Sequence, residues 1–191
     1  MIANMKLGMK LGLCFASLIA LMGVIAGSSL WNLRAIDESL TAVVDDRYPK
    51  TVAGNEVLMH VNRIARPMRN TLLMTKADEV KKELDNIEAS RKLIGERLDT
   101  LNKTIKSDKG KEVMKGIADA RGNYVGSQAA FIKLVAEDKK AEATALLLGD
   151  VRPKQLAYFD SINKLLAFQG DLMVKAGKDA SEMYAQARNT V

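Results

Sequence analysis

The sequence is poor in the residues that build disulfides, metal centres and catalytic dyads. It has one cysteine, one histidine and three prolines among 191 residues, and 5% of its residues are aromatic. Cys14 has no partner within the chain, so an intrachain disulfide is excluded. The nearest glutamate to His60 is Glu56, which does not match the Glu-x-x-His pairs of a di-metal bundle. We therefore expect no metal centre and no cofactor, with His60 at the surface or the edge of the fold.

Motifs for enzymatic chemistry are also missing. There is no Cys-x-x-Cys-His haem motif, no glycine loop that would cradle a phosphate, and no nucleophile in a pattern with a histidine. The net charge of +6 comes from 29 basic and 23 acidic residues that alternate along the chain. Such interleaving is typical of a solvated surface rather than a nucleic-acid interface. The sequence thus predicts a protein that is not an enzyme and binds no nucleic acid.

One long stretch has no charge at all. It runs from Leu11 to Leu30, follows Lys6 and Lys10, and is followed by Trp31. Twenty helical residues span about 30 Å, the thickness of a bilayer core, and a tryptophan suits the headgroup level. We expect a membrane anchor over residues 11–31, with the N-terminus in the cytoplasm. A cleaved signal peptide is the alternative, because small residues follow the apolar core.

The remaining residues, 32–191, are long enough for one domain with its own core and show no strand-like alternation. Apolar residues recur at helical spacing in four segments joined by short connections. The predicted helices run from the anchor to about Thr75, from Val80 to Ile105, from about Lys111 to Ala136, and from near Asp150 onward, with a short connecting helix over Asp138 to Leu148 that ends at Gly149. This pattern predicts an all-α, antiparallel up-down-up-down four-helix bundle. Pro49 and Pro67 should each bend the first helix.

Several polar residues fall on the apolar arcs of these helices. At 100° per residue, Arg91 lies on the seam of the second helix, Arg121 and Gln128 in the arc of the third, and Gln155 and Gln169 in that of the fourth. A bundle core rejects an unpaired charge, so these groups need an internal partner or an anion from outside.

Their heights along the helices predict one level for Arg91, Arg121, Gln128, Gln155 and the segment from Arg63 to Arg69, with Tyr124 beside Arg121. We interpret this level as a pocket for a small anion. The alternative is a structural network that pairs the two arginines with acidic residues such as Asp119 or Glu88.

A second feature is an arginine stripe on the first helix. Arg63, Arg66 and Arg69 recur at intervals of three, mostly opposite the apolar arc. They face either water or a second subunit, where arginine binds a carboxylate with two parallel hydrogen bonds. Spacing alone leaves both readings open.

The order of these features resembles the four-helix-bundle sensory domain of bacterial methyl-accepting chemotaxis receptors. The resemblance covers essentially the whole chain, and its quoted segments are NRIARPMRNTLLM, ARGNY and DVRPKQLAYF. It implies a homodimer in the periplasm, anchored in the inner membrane, that binds amino acids or organic acids near its membrane-distal end. It also implies a piston-like shift of the fourth helix that controls a cytoplasmic histidine kinase.

The resemblance extends to single positions. Arg63 resembles the first ligand arginine of the aspartate-type receptors, whereas two later arginines of that pattern fall on Met68 and Leu72 here. Arg66 and Arg69 are candidates to compensate. The segment from Arg152 to Gln155 and Tyr124 resemble positions near the ligand. The predicted ligand-binding set is therefore Arg63, Arg66, Arg69, Arg91, Arg121, Tyr124, Gln128, Arg152 and Gln155.

The expected function is the sensory region of a transmembrane chemoreceptor that binds a small organic anion, with a di- or tricarboxylate favoured. The sequence stops where a second membrane helix would begin, so we expect a fragment of a larger protein. Two alternatives stay open. The bundle could be the input domain of a sensor kinase or cyclase, or an anchored structural bundle without a ligand.

Overall fold

The computed structural model describes residues 6–190, the side chains of 189 and 190 excepted, and no strand occurs in that part of the chain. Two π-helical segments, Ala42–Arg47 and Leu147–Val151, precede the second and the last α-helix. The α-helices are α1 (Leu7–Thr41), α2 (Tyr48–Leu73), α3 (Ala77–Thr104), α4 (Asp108–Ala136), α5 (Lys140–Leu146) and α6 (Arg152–Thr190). The all-α prediction is confirmed.

Contacts divide the chain into two compact units. The described part of the first unit is residues 6–45 and 173–190. No residue of α1 is buried, and Trp31 is 76% exposed. Within the described residues, the helical run Leu7–Leu73 is the one that contains a window long and apolar enough to cross a membrane, and this window lies near the N-terminus. An anchor and a signal sequence both meet that criterion.

The second unit, residues 46–172, is the bundle, in which α2, α3, α4 and the first half of α6 bury one apolar core. Hydrophobic burial at the predicted three- and four-residue spacing holds these helices together. On α3 the buried apolar residues are Ile87, Ile94, Leu98 and Leu101, and the residues that face them from the other helices include Val57, Val61, Ile64, Met68, Ile117, Phe131, Ile162 and Leu165. The predicted four-helix bundle is confirmed.

The connection into α6 differs from the prediction. The connecting helix is shorter than expected, and the chain does not leave helical conformation at Gly149 but passes through the π-helical segment into α6. Val151 in this segment is 2% exposed, so burial in the core favours a continuous helix over a stop at the glycine. Pro153 has no N–H to offer the Gly149 carbonyl four residues back, and the π-helical segment comes just before it. The α4–α5 turn is made instead at Asp138, which has a φ of 56°.

The helix type changes just before one of the prolines, and the two predicted bends stay predictions. The π-helical segment Ala42–Arg47 comes just before Pro49, which has no N–H to offer the Asp45 carbonyl four residues back. α2 continues through Pro67 to Leu73.

The expectation for His60 was wrong. This side chain is 7% exposed, its Nδ1 has no partner in the described residues, and burial together with Arg63 lowers its pKa.

Candidate ligand-binding groove between α3 and α4

Arg91 and Gln128 are the polar pair at the α3–α4 contact. Gln128 is completely buried, and its Oε1 accepts hydrogen bonds from Nε and Nη2 of Arg91 at 3.1 and 3.0 Å. Nη1 of Arg91 lies 3.5 Å from Glu88, whose side chain is 73% exposed. The buried amide therefore supplies the hydrogen-bonded partner of Arg91, and Glu88, one of the carboxylates expected in a structural network, adds a longer ion pair at the exposed side.

Arg121 on α4 has a different environment. It is half-buried, and no hydrogen bond or ion pair to it is found among the described residues. Its Nη2 lies 3.6 Å from where a Cβ on Gly95 would stand, an ordinary van der Waals distance, so the guanidinium lies beside Gly95 of α3. An arginine in this position has donors free for a ligand.

Two adjoining pockets of about 290 and 670 Å³ form a groove along α3 and α4, and both are lined by Arg121 and Val125. The arginines and the carboxylates of the groove differ in burial, and Lys92 is exposed like the carboxylates. Arg91 and Arg121 are half-buried, whereas the carboxylates Asp85, Glu88 and Asp99 are exposed. Because water screens exposed charges more strongly, the inner part of the groove is positive.

Tyr124 and Tyr158 pack against each other in the core, with ring centroids 6.0 Å apart. Neither lines the groove, and neither hydroxyl has a hydrogen-bond partner in the described part of the chain. Burial raises the pKa of Tyr124 to about 12; the Gln128 amide and the Arg91 charge oppose this rise, although the amide does not reach hydrogen-bond geometry with the hydroxyl. Burial also raises the pKa of Tyr158, against the charge of Arg121.

The predicted site residues fall into four groups. Arg91 and Arg121 line the groove. Tyr124 and Gln128 lie in the core and do not line the groove. Gln155 is occupied elsewhere, since its Nε2 donates to the Val61 carbonyl at 3.2 Å and ties α6 to α2.

The remaining four arginines are exposed and do not line either pocket of the groove. They are Arg63, Arg66 and Arg69 on α2 and Arg152 at the start of α6. The α2 stripe shares its exposed face with two apolar side chains, Val52 at 38% and Met59 at 48% exposure. This face therefore carries both cations and apolar side chains.

A polar cluster escaped the sequence analysis. Ser127 of α4 donates to Oδ2 of Asp150 at 2.5 Å, and Lys154 donates to both, at 2.7 and 2.8 Å. Hydrogen bonds from Lys154 and Ser127 lower the pKa of the Asp150 carboxyl. The Asp-Lys spacing of four residues is readable in the sequence. The contact with Ser127 is not, because it depends on how α4 packs beside α6.

An all-α bundle with a positive groove between two of its helices, in a chain that begins with an exposed apolar helix, defines a helical sensory module as the class of protein. A family model described as a four helix bundle sensory module for signal transduction matches residues 4–184. The chain therefore belongs to this family of sensory modules, which serve chemoreceptor-type signalling in membrane receptors. A search of curated proteins found no match.

Proposed function

We propose that the chain is the periplasmic sensory region of a transmembrane chemoreceptor that binds a small organic anion in the α3–α4 groove. The observation that carries this proposal is Arg121, a half-buried arginine without a partner among the described residues. A guanidinium that has lost part of its hydration and gained no hydrogen bond is unfavourable, and an arriving carboxylate offsets that cost.

The arrangement of the groove favours a ligand with more than one carboxylate. Arg91 and Arg121 line the same pocket, and Gln128 holds the guanidinium of Arg91 in a fixed orientation. Each guanidinium can hold one carboxylate with two parallel hydrogen bonds. A di- or tricarboxylate would engage both arginines, with Arg91 using the Nη1 side that now faces the exposed Glu88, whereas a monocarboxylate would engage one arginine.

Signalling requires that the ligand bind one arrangement of the helices more tightly than another. The groove is connected to α6 through the contact of Tyr124 with Tyr158, so a change in the position of α4 has a route to α6. We propose a displacement of α6 as the signal, passed to cytoplasmic kinase-coupling machinery. The role is that of a receptor, with no catalytic step of its own.

The exposed face of α2 suits a homodimer. Val52 and Met59 supply apolar area there, and the stripe Arg63, Arg66 and Arg69 supplies cations. Analytical ultracentrifugation of the full chain in detergent tests this proposal. Arg66→Glu should weaken association if this face is the interface, whereas Lys115→Glu on the exposed face of α4 should not.

A purely structural bundle is the competing interpretation, and the Arg91–Gln128 pair favours it, because one of the two groove arginines already has a partner inside the protein. The two interpretations differ over Arg121. If the groove is structural, replacement of this side chain changes stability alone; if it is a receptor site, replacement also removes a ligand response.

The experiment is thermal unfolding of the full chain in phosphatidylcholine nanodiscs with malate, citrate, succinate or aspartate. A ligand at about one hundred times its Kd stabilises the folded state by about 2.7 kcal/mol. Arg121→Met, which keeps an unbranched apolar side chain, should abolish the shift and still unfold cooperatively. Lys115→Met is the matched control and should keep it. A shift with succinate or aspartate, which carry no hydroxyl group, that survives Arg121→Met, or no shift with any of the four acids, contradicts the proposal.

A further inference from the structure

A separate pocket of about 250 Å³ lies at the end of the bundle where α2 begins, α3 ends and α4 begins. It shares no residue with the α3–α4 groove. About 13 residues of α2, or about 20 Å of helix, separate Lys50 in this pocket from Arg63, the first arginine of the α2 stripe. The lining residues are Asp46, Arg47, Lys50, Thr104, Ile105, Lys106, Ser107, Phe168 and Gln169.

Gln169 is the unusual member of this set. It is 1% exposed, and its Oε1 is buried without a hydrogen-bond partner among the described residues. A buried polar atom that forms no hydrogen bond costs about 1–3 kcal/mol. Because Gln169 lines the pocket, a molecule inside the pocket is in a position to satisfy the amide.

The charges of the pocket are mostly positive. Arg47, Lys50 and Lys106 contribute three cations, and Asp46 contributes the one carboxylate. Oδ1 of Asp46 accepts a hydrogen bond from Nζ of Lys50 at 2.5 Å, and Oδ2 of Asp46 lies 2.7 Å from Nη1 of Arg47. The Lys50 side chain is only 7% exposed, so its charge is weakly screened. One carboxylate cannot neutralise three cations, which leaves the pocket with an excess of positive charge.

The polypeptide around the pocket is fixed in place. Ser107 is the N-cap of α4, and its Oγ accepts the Gly110 amide at 3.2 Å. A Cβ on Gly110 would stand 2.4 Å from Ile105 and 3.4 Å from Phe168, so the α3–α4 connection packs closely against α6. The positive end of the α4 dipole adds to the field of the three cations.

We propose that this pocket binds a small oxyanion that also carries a hydroxyl group, of the hydrogen phosphate or hydroxycarboxylate type. Arg47, Lys50, Lys106 and the α4 N-terminus would donate hydrogen bonds to the negative oxygens, and Oε1 of Gln169 would accept a hydrogen bond from the hydroxyl group. A phosphate bearing a neighbouring hydroxyl is also part of some lipid headgroups, so the same chemistry has a free and a lipid source. The site does not depend on the ligand proposed for the α3–α4 groove.

The test is isothermal titration of the full chain in phosphatidylcholine nanodiscs with inorganic phosphate, and separately with glycolate, at constant ionic strength. We expect saturable binding of at least one probe. Lys106→Gln and Gln169→Leu should each weaken it by about tenfold, the effect of losing one charge-assisted or buried hydrogen bond. Lys103→Gln removes an exposed charge from the same end of α3 outside the pocket and should change the affinity by less than about twofold.

Two outcomes overturn the proposal: no saturable binding of either probe, or equal losses in Lys106→Gln and Lys103→Gln. Lys106 is exposed, so its variant is expected to fold even if Gln169→Leu does not. Arg121→Met should leave phosphate binding unchanged, which separates this site from the groove. The melting temperature is then compared between phosphatidylcholine and phosphatidylglycerol nanodiscs. If it rises in phosphatidylglycerol, and Lys106→Gln removes the rise while Lys103→Gln keeps it, the source is a lipid headgroup. Without that rise, saturable binding identifies the free oxyanion.

Discussion

Nε and Nη2 of Arg91 on α3 both donate to the same oxygen of Gln128 on α4. The two residues are 37 positions apart in the sequence, and each falls on the apolar arc of its helix. Their pairing explains how the core accommodates both. The amide satisfies part of the guanidinium, and the guanidinium satisfies the amide oxygen, so neither residue is left alone in an apolar environment.

This pair predicts a coupling energy. Gln128→Leu leaves Arg91 half-buried without its partner, and Arg91→Met leaves a fully buried amide oxygen without a donor, so each single change should cost about 1–3 kcal/mol. Arg91→Met/Gln128→Leu removes both partners together and should cost less than the sum of the two. Urea unfolding of the four proteins measures the difference. Additive losses would mean that the two side chains do not interact in solution.

The close approach at Gly110 gives a second prediction. A methyl group there would stand 2.4 Å from Ile105 Cγ2, which sits directly on a branched Cβ and cannot move away easily. Gly110→Ala should therefore lower the free energy of unfolding by about 1–3 kcal/mol. Gly126→Ala on the same helix is the matched control, because a Cβ on Gly126 would have no atom of a neighbouring element within 4 Å.

The Gly126→Ala control should instead raise the free energy of unfolding by about 0.5–1 kcal/mol, because alanine has a higher helix propensity than glycine. Urea unfolding of both variants beside the parent chain gives the two values. Equal effects of the two substitutions would show that Gly110 does not pack closely against Ile105.

The fold could be read from the sequence because helical periodicity is a local property. The seam of α3 was predicted residue by residue, and Ile87, Ile94 and Leu98 are buried as expected. The continuous helix through Gly149 could not be read in this way. Gly149 with Pro153 four residues later predicts the end of a helix from local sequence alone. Only the burial of Val151 against other helices overrides this signal.

The candidate site was predictable in composition more than in geometry. Their positions on apolar arcs correctly marked Arg91, Arg121 and Gln128 as polar residues that are buried or half-buried. Which arginine is paired depends on distances between helices, and periodicity carries no information on these. The pocket around Lys50 was missed for the same reason, because its lining comes from three parts of the chain that are distant in sequence.

The Asp150 cluster predicts a response to acid. Hydrogen bonds from Lys154 and Ser127 lower the pKa of Asp150 below its ordinary value of 3.8. The folded state therefore holds the ionised form more tightly, so this contribution to stability is present above about pH 4 and disappears as the pH falls through the lowered pKa. Asp150→Asn removes the contribution and should flatten the acid limb of the stability curve.

Melting temperatures between pH 7 and pH 2.5 would measure this effect. Asp160→Asn, an exposed change on the same helix, should keep the acid limb of the parent chain. The prediction fails if Asp150→Asn and the parent lose stability in parallel below pH 4.

Tyr124 predicts a loss of stability at alkaline pH. Its hydroxyl is buried without a partner among the described residues, and burial raises its pKa to about 12 from an ordinary value of 10.0. The unfolded chain ionises this group near pH 10 while the folded chain still holds the proton, so its contribution to stability is intact below pH 10 and is lost as the pH rises toward 12. Tyr124→Phe removes this loss and the unpartnered hydroxyl together.

The variant should therefore be more stable than the parent by about 1 kcal/mol at neutral pH. Its advantage should grow above pH 10, by up to about 1.4 kcal/mol for each unit by which the pKa is raised. Urea unfolding at pH 7, 9 and 11 measures both effects, with Tyr184→Phe as the control because that ring is 61% exposed. A Tyr124→Phe protein less stable than the parent at pH 7 would show that the hydroxyl has a partner in solution, and the alkaline prediction would then not hold.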